Sequence, residues 1–125
     1  MHQHSEDGHW WVILTGPKDR FPIGYWPKNI FTSLADVANQ VEWGGEAGNP
    51  ERKWPYADMG NSLKASYDTT ESAYFRHVTV DTESTKFVEP QGTKKVFDCP
   101  IFYTVLDAGH KGDFWGRLMF YGGYH

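Results

Sequence analysis

Short apolar runs rich in aromatic residues, each ended by glycine or proline, most limit how this 125-residue chain can fold. Aromatic residues make up 17% of the chain, and 13 glycines and 7 prolines punctuate it. Aromatic side chains suit the half-buried surface of a pleated sheet, and glycine and proline favour the turns between strands. The pattern therefore predicts a mainly β protein, and the length is enough for one domain.

The first two apolar runs predict a β-hairpin. "HWWVIL" (9–14) and "FPIGYW" (21–26) flank a turn that contains a Gly-Pro pair. Pro22 cannot donate a ladder hydrogen bond, so it indicates an edge strand or a bulge. Four further strands are predicted later in the chain, at 72–81, 93–98, 101–107 and 114–123.

One segment has helical rather than strand spacing. In "PKNIFTSLADVANQV", Pro27 suits the first helical position because its missing N–H would have no partner there. Apolar residues then recur on one helical face, at Ile30, Phe31, Leu34, Val37, Ala38 and Val41. We therefore expect one α-helix at about 28–40, packed on an antiparallel, aromatic-rich sheet system.

Charge and hydropathy exclude two classes of partner. The net charge is −4 and no basic stripe is present, which argues against nucleic-acid binding. No apolar run approaches the roughly 18 residues of a membrane span. "MHQHSEDGH" has no apolar core, so no signal peptide is visible. We expect neither a nucleic-acid nor a membrane partner.

The polar N-terminus predicts a flexible tail at 1–7, followed by a domain at 8–125. His2, His4 and His9 lie in or beside this tail, but no cysteine or carboxylate is placed to complete a metal site. Phosphate-loop and dinucleotide fingerprints are absent as well. We therefore predict no metal and no cofactor.

"VEWGGEAGNP" (41–50) is the candidate for chemistry. Glu42 and Glu46 bracket Trp43 and a glycine pair, and glycine lets a backbone pass close to its neighbour. Carboxyl catalysis needs two acids in different protonation states that converge on one water. From the residues alone, Glu46 is either a carboxylate presented for catalysis or a solvated residue beside a turn.

A family resemblance bears on this choice. "HWWVIL" followed by "IGYWPKNIFTSLADVANQVEWGGE" resembles the second half of the neprosin-type domain of plant secreted proteins. Further family landmarks follow in order, in "MG", "AYFRHVTVD", "DCPIFYTV" and "FWGRLMFYGG". The resemblance runs from about residue 8 to residue 123.

The resemblance implies an antiparallel β-sandwich and a secreted glutamic peptidase that cuts after proline at acidic pH. Two glutamates share the catalysis in this family, and Glu46 matches the one in the "GGE" segment better than Glu42 does. One glutamate takes a proton from water while the other, protonated, polarises the scissile carbonyl. The implied partner is a proline-containing peptide.

The chain also departs from the family pattern. The first glutamate of the family lies in a segment resembling "I-E-A-G-W", and nothing in this sequence matches it. The family's partner for Cys99 is missing too, so that cysteine is expected to be unpaired. We therefore predict a partial β-sandwich, a fragment of the family domain that is inactive as this chain alone.

Three aromatic residues are candidates for substrate binding. Tyr25, Trp26 and Trp43 are proposed to form an aromatic wall against which a substrate proline ring packs, with plain core packing as the alternative.

Two rival functions stay open. One is a non-catalytic module that binds proline-rich peptide or glycan, and the other is a homodimer whose copies cover each other's sheet faces.

Overall fold

The computed structural model describes residues 2–4, 6–16, 18–48, 56–81 and 86–124. The prediction of a mainly β protein with antiparallel sheets is confirmed, since each strand pair among these residues is antiparallel. The chain divides into two compact units, 1–41 and 42–125, and each is described by itself.

The N-terminal unit is built on the predicted hairpin. Its three strands pair in chain order: β1 (His2–Gln3), β2 (Trp10–Thr15) and β3 (Arg20–Trp26). Strand β1 lies within the segment predicted to be a flexible tail. The β2–β3 register shifts where Val12 pairs with Gly24 but Ile13 pairs with Pro22, so Ile23 is an extra residue. The shift lies beside Pro22, where the sequence predicts an edge or a bulge.

The prediction of an α-helix at about 28–40 is wrong. That segment forms two single 3₁₀ turns, Lys28–Ile30 and Ser33–Ala35. Between them Phe31 takes an extended conformation (φ −101°, ψ 152°), which interrupts any helical hydrogen-bond ladder. None of the predicted apolar stripe is fully buried: three of its residues are exposed (Ile30, Val37 and Val41) and three are half-buried (Phe31, Leu34 and Ala38). Without a packed face, a short amphipathic helix gains too little to form.

The C-terminal unit contains a three-stranded and a two-stranded sheet. The first has the order β4-β8-β7 and the second pairs β5 with β6. Their bounds are β4 (Ala73–Phe75), β5 (Val80–Asp81), β6 (Phe87–Val88), β7 (Tyr103–His110) and β8 (Arg117–Gly123). A single helical turn, α1 (Gly112–Trp115), joins β7 to β8. Because β8 is central, it supplies the core residues Leu118, Met119 and Phe120.

The predicted strand at 114–123 begins only at Arg117, after the helical turn α1, and two other predicted strands differ more. The run at 72–81 breaks after Phe75, because His77 has a φ of +51° that no strand allows. The His77 ring nitrogen Nε2 lies 2.9 Å from the carbonyl oxygen of Phe114, which holds this break in place. The predicted strand at 93–98 is absent, and the side chains of that segment are all exposed.

Candidate functional site

Glu46 follows a glycine that lies in close contact with the sheet. A Cβ placed on Gly45 would lie 2.7 Å from Cγ of Met59 and 3.0 Å from Cε2 of Tyr121. A Cβ on Gly44 would meet nothing within 4 Å. The glycine pair therefore has two different roles: only Gly45 is needed for a close backbone approach.

Gly45 lies close to β8, the central strand of the three-stranded sheet in the C-terminal unit. The ring of Tyr121, on β8, stacks on the ring of Phe75, with centroids 4.9 Å apart and an interplanar angle of 17°. Met59 is tied to the end of the same strand by two backbone hydrogen bonds with Gly123, of 3.1 and 3.2 Å. The backbone at Gly45 is thus supported by residues that the sheet holds in place.

The carboxylates of this segment face solvent. Glu42 and Glu46 are both exposed, whereas Trp43 is half-buried. The structure places Trp43 and Glu46 in one irregular segment, three residues apart. An exposed carboxylate on a supported backbone is accessible to water and to a peptide, which a catalytic acid or base requires.

The other two predicted binding residues lie in the N-terminal unit. Tyr25 and Trp26 are neighbours on β3, and successive side chains of a strand point to opposite faces. The Tyr25 ring stacks on His9, at 4.9 Å and 3°, and contacts Trp11 at 4.8 Å and 35°. The structure therefore does not bring Tyr25 and Trp26 into one wall; it groups Tyr25 with His9 and Trp11.

A polar cluster at β7 and β8 is not evident from the sequence. Asp107 forms an ion pair with Arg117 and accepts hydrogen bonds from the Thr93 hydroxyl, at 2.7 Å, and from the Gly109 amide, at 2.9 Å. Burial alone would raise the pKa of Asp107, but these hydrogen bonds and the guanidinium charge together hold that pKa below its ordinary value. Nearby in the chain, His110 Nδ1 lies 2.7 Å from an oxygen of Glu89.

The N-terminal histidines take part in local contacts. Asp7 accepts a 2.8 Å hydrogen bond from the His9 amide and lies 3.5 Å from Nδ1 of His4. The hydrogen bond from that amide is the main reason that the pKa of Asp7 is lowered.

Across the part of the chain that the structure describes, no three histidine, cysteine, aspartate or glutamate side chains group so as to hold a metal ion. Within that same part, no helix is long and apolar enough to span a membrane.

Comparison with known proteins gives one family. The family model described as Neprosin matches residues 1–124. No solved structure matches the chain.

Proposed function

We propose, because the chain belongs to the Neprosin family, that Glu46 is one of the two carboxylates of a glutamic peptidase site. The observation that carries this proposal is the position of Glu46. It is exposed, and the residue before it packs on Met59 and Tyr121. A solvated turn residue has no need of such support, whereas a catalytic carboxylate does.

The chemistry follows from a pair of carboxyl groups that share one proton. The ionised member takes a proton from water, and the water oxygen attacks the scissile carbonyl carbon. The protonated member donates a hydrogen bond to the carbonyl oxygen and then gives its proton to the amine nitrogen as the C–N bond breaks. Two interacting carboxyl groups titrate as a unit, so the active form with one proton is populated at acidic pH.

The second carboxylate has to be supplied from outside these 125 residues. From the family resemblance we expect it in an "I-E-A-G-W" segment, which has no match in this sequence. One carboxylate cannot act as base and acid at the same moment. We therefore expect the chain alone not to cleave peptides, and we expect cleavage after proline once that segment is present.

Complementation tests this proposal directly. A proline-containing peptide is incubated at acidic pH with the chain alone, and with the chain plus a polypeptide that carries the first-glutamate half of a family domain. Mass spectrometry locates any cleavage. The proposal predicts cleavage after proline in the mixture only, and its loss in Glu46→Gln. Cleavage that survives Glu46→Gln, or a stable complex that does not cleave, contradicts the proposal.

A second candidate is a non-catalytic module that binds proline-rich peptide. The observation that favours it is the cluster of Tyr25, His9 and Trp11, in which the Tyr25 side chain stays half exposed. Proline rings pack well on flat aromatic faces. This function predicts saturable binding that survives Glu46→Gln and is lost in Tyr25→Ala. Trp26→Ala is the matched control, because Trp26 lies on the opposite face of β3.

Two further proposals concern where the protein is located and whether it self-associates. Secretion is proposed from the family resemblance alone. A homodimer is proposed because Leu14, Phe21 and Ile23 are exposed large apolar residues of the hairpin. Size-exclusion chromatography with light scattering at low micromolar concentration tests it, and a clean monomer excludes it.

A further inference from the structure

We infer that Met59 and Tyr121 are positioning residues for Glu46. Their side chains lie against the backbone of Gly45, a contact that we call the seat of Gly45, and so fix the position of the next residue, Glu46. The functional meaning of this seat rests on the proposed role of Glu46, but its existence can be measured without any activity.

The contrast between two adjacent glycines carries the inference. At Gly45, an added Cβ would come within 2.7 Å of Cγ and 2.9 Å of Sδ of Met59, and within 3.0 Å of the Tyr121 ring. At Gly44, the same atom would meet nothing within 4 Å. Neither glycine has a positive φ, so alanine fits the backbone conformation at both positions. The contact with Met59 and Tyr121 distinguishes them.

The two supporting side chains differ in stiffness. Tyr121 lies on β8, where it pairs in register with Ala73 on one side and Val105 on the other. Its ring is also stacked on Phe75. Met59 has a flexible side chain, although its backbone is fixed by the paired hydrogen bonds to Gly123. Tyr121 therefore sets the position of Gly45, and Met59 fills the remaining space.

This seat matters because a catalytic carboxylate tolerates little displacement. Productive geometry has to be kept within about 0.5 Å, and a misplacement of about 1 Å can lower a rate about 100-fold. A methyl group at Gly45 would lie 3.0 Å from a ring that Phe75 and two neighbouring strands hold, so a shift of a few tenths of an ångström is needed even where the Met59 side chain yields. The backbone at Gly45, and Glu46 with it, is then the part that shifts.

Nuclear magnetic resonance on the 125-residue chain tests the seat. The two readouts are the amide chemical shift of Glu46 and the heteronuclear NOE of that amide, which reports fast backbone motion. In the wild type we expect an NOE close to that of Tyr121. Gly45→Ala is expected to shift the Glu46 amide and lower its NOE, whereas Gly44→Ala leaves both unchanged. Equal effects of the two variants, or no effect of Gly45→Ala, overturn the inference.

A compensating variant keeps the test decisive if Gly45→Ala unfolds the chain. Met59→Ala removes both methionine atoms that the new methyl group would meet. Met59→Ala alone is expected to lower the Glu46 NOE, because the seat is loosened. The double variant Gly45→Ala/Met59→Ala is expected to recover part of that loss, since the methyl group occupies the vacated space. Strictly additive effects contradict the inference.

Kinetics of the complemented peptidase then separate positioning from binding. Gly45→Ala is expected to lower kcat about 10- to 100-fold with little change in KM, because the peptide contacts remain. An equal kcat with a raised KM contradicts the positioning role. If the complemented chain proves inactive, the proposed function fails while the resonance measurements still decide whether the seat exists.

Discussion

Asp107 and Arg117 form an ion pair across the neighbouring strands β7 and β8, and both side chains are largely shielded from solvent. Their side chains are 19% and 14% exposed, respectively. The Thr93 hydroxyl donates a hydrogen bond to Oδ2 of Asp107, the oxygen that also contacts Arg117. The same hydroxyl accepts a 3.1 Å hydrogen bond from Arg117. The pair therefore fixes the otherwise irregular segment around Thr93 to the sheet.

Replacement of Asp107 by asparagine is expected to destabilise the fold. The amide side chain is nearly the same shape as the carboxylate but leaves the guanidinium of Arg117 without its counter-charge. We therefore expect a loss of roughly 1.5–3 kcal/mol near neutral pH. Denaturant unfolding measures it. The control is Asp98→Asn at an exposed position, where the change is expected to stay within about 0.5 kcal/mol.

The stabilisation by Asp107 should depend on pH in one direction. Its pKa is lower in the folded chain than its ordinary value. Its contribution is therefore fully present above the unfolded pKa of about 3.9 and is lost as the pH falls through the folded value. The difference in unfolding free energy between wild type and Asp107→Asn should shrink below about pH 4. A difference that stays constant down to about pH 2 contradicts this account.

Gly123, at the end of β8, lies so close to neighbouring backbone that one added methyl group is expected to destabilise the fold. Gly123 has a φ of +148°, and an added Cβ would collide with the Phe102 carbonyl and lie 2.8 Å from Cα of Tyr103. Gly123→Ala is expected to lower the free energy of unfolding by roughly 1–3 kcal/mol beyond the loss caused by backbone strain alone. Gly109→Ala supplies the comparison, because Gly109 also has a positive φ (+69°) but open space around it. Equal melting temperatures for the two variants contradict the packing.

The N-terminal unit offers a matched pair of tryptophans. Trp10 is 8% exposed and its indole N–H donates a 2.7 Å hydrogen bond to the Leu34 carbonyl. Its partner in register, Trp26, is 44% exposed. Trp10→Phe removes the hydrogen bond and is expected to cost about 1–3 kcal/mol, whereas Trp26→Phe costs less than about 1 kcal/mol. Chemical denaturation compares them, and the reverse order would contradict the structure.

The parts of the fold that depend on local pattern could be predicted from the sequence. The hairpin of β2 and β3 and the strand at β8 follow from short apolar runs and turn residues. The helix at 28–40 could not be judged correctly, because helical spacing does not reveal whether a surface exists for the apolar stripe to cover. Residue identity alone also does not predict the positive φ that ends a strand at His77.

The site was predictable only in part, for a related reason. The glycine pair before Glu46 indicated a close backbone approach, but which glycine makes it depends on Met59 and Tyr121, which are distant in sequence. Tyr25 and Trp26 are predicted to form one wall, although the predicted strand at 21–26 already contains both, and β3 confirms that strand alternation separates them. The pairing of Asp107 with Arg117 requires the strand register, which shifts between Asp107 and Gly109.

The measurement that tests the central claim most directly is the rate of cleavage after proline by the complemented chain at acidic pH. Wild type is compared with Glu46→Gln and with Glu42→Gln, an equally conservative change at the other exposed carboxylate of the segment. The account predicts a loss of at least about 100-fold in Glu46→Gln and a rate near wild type in Glu42→Gln. A Glu46→Gln rate near wild type, or a loss confined to Glu42→Gln, would contradict it.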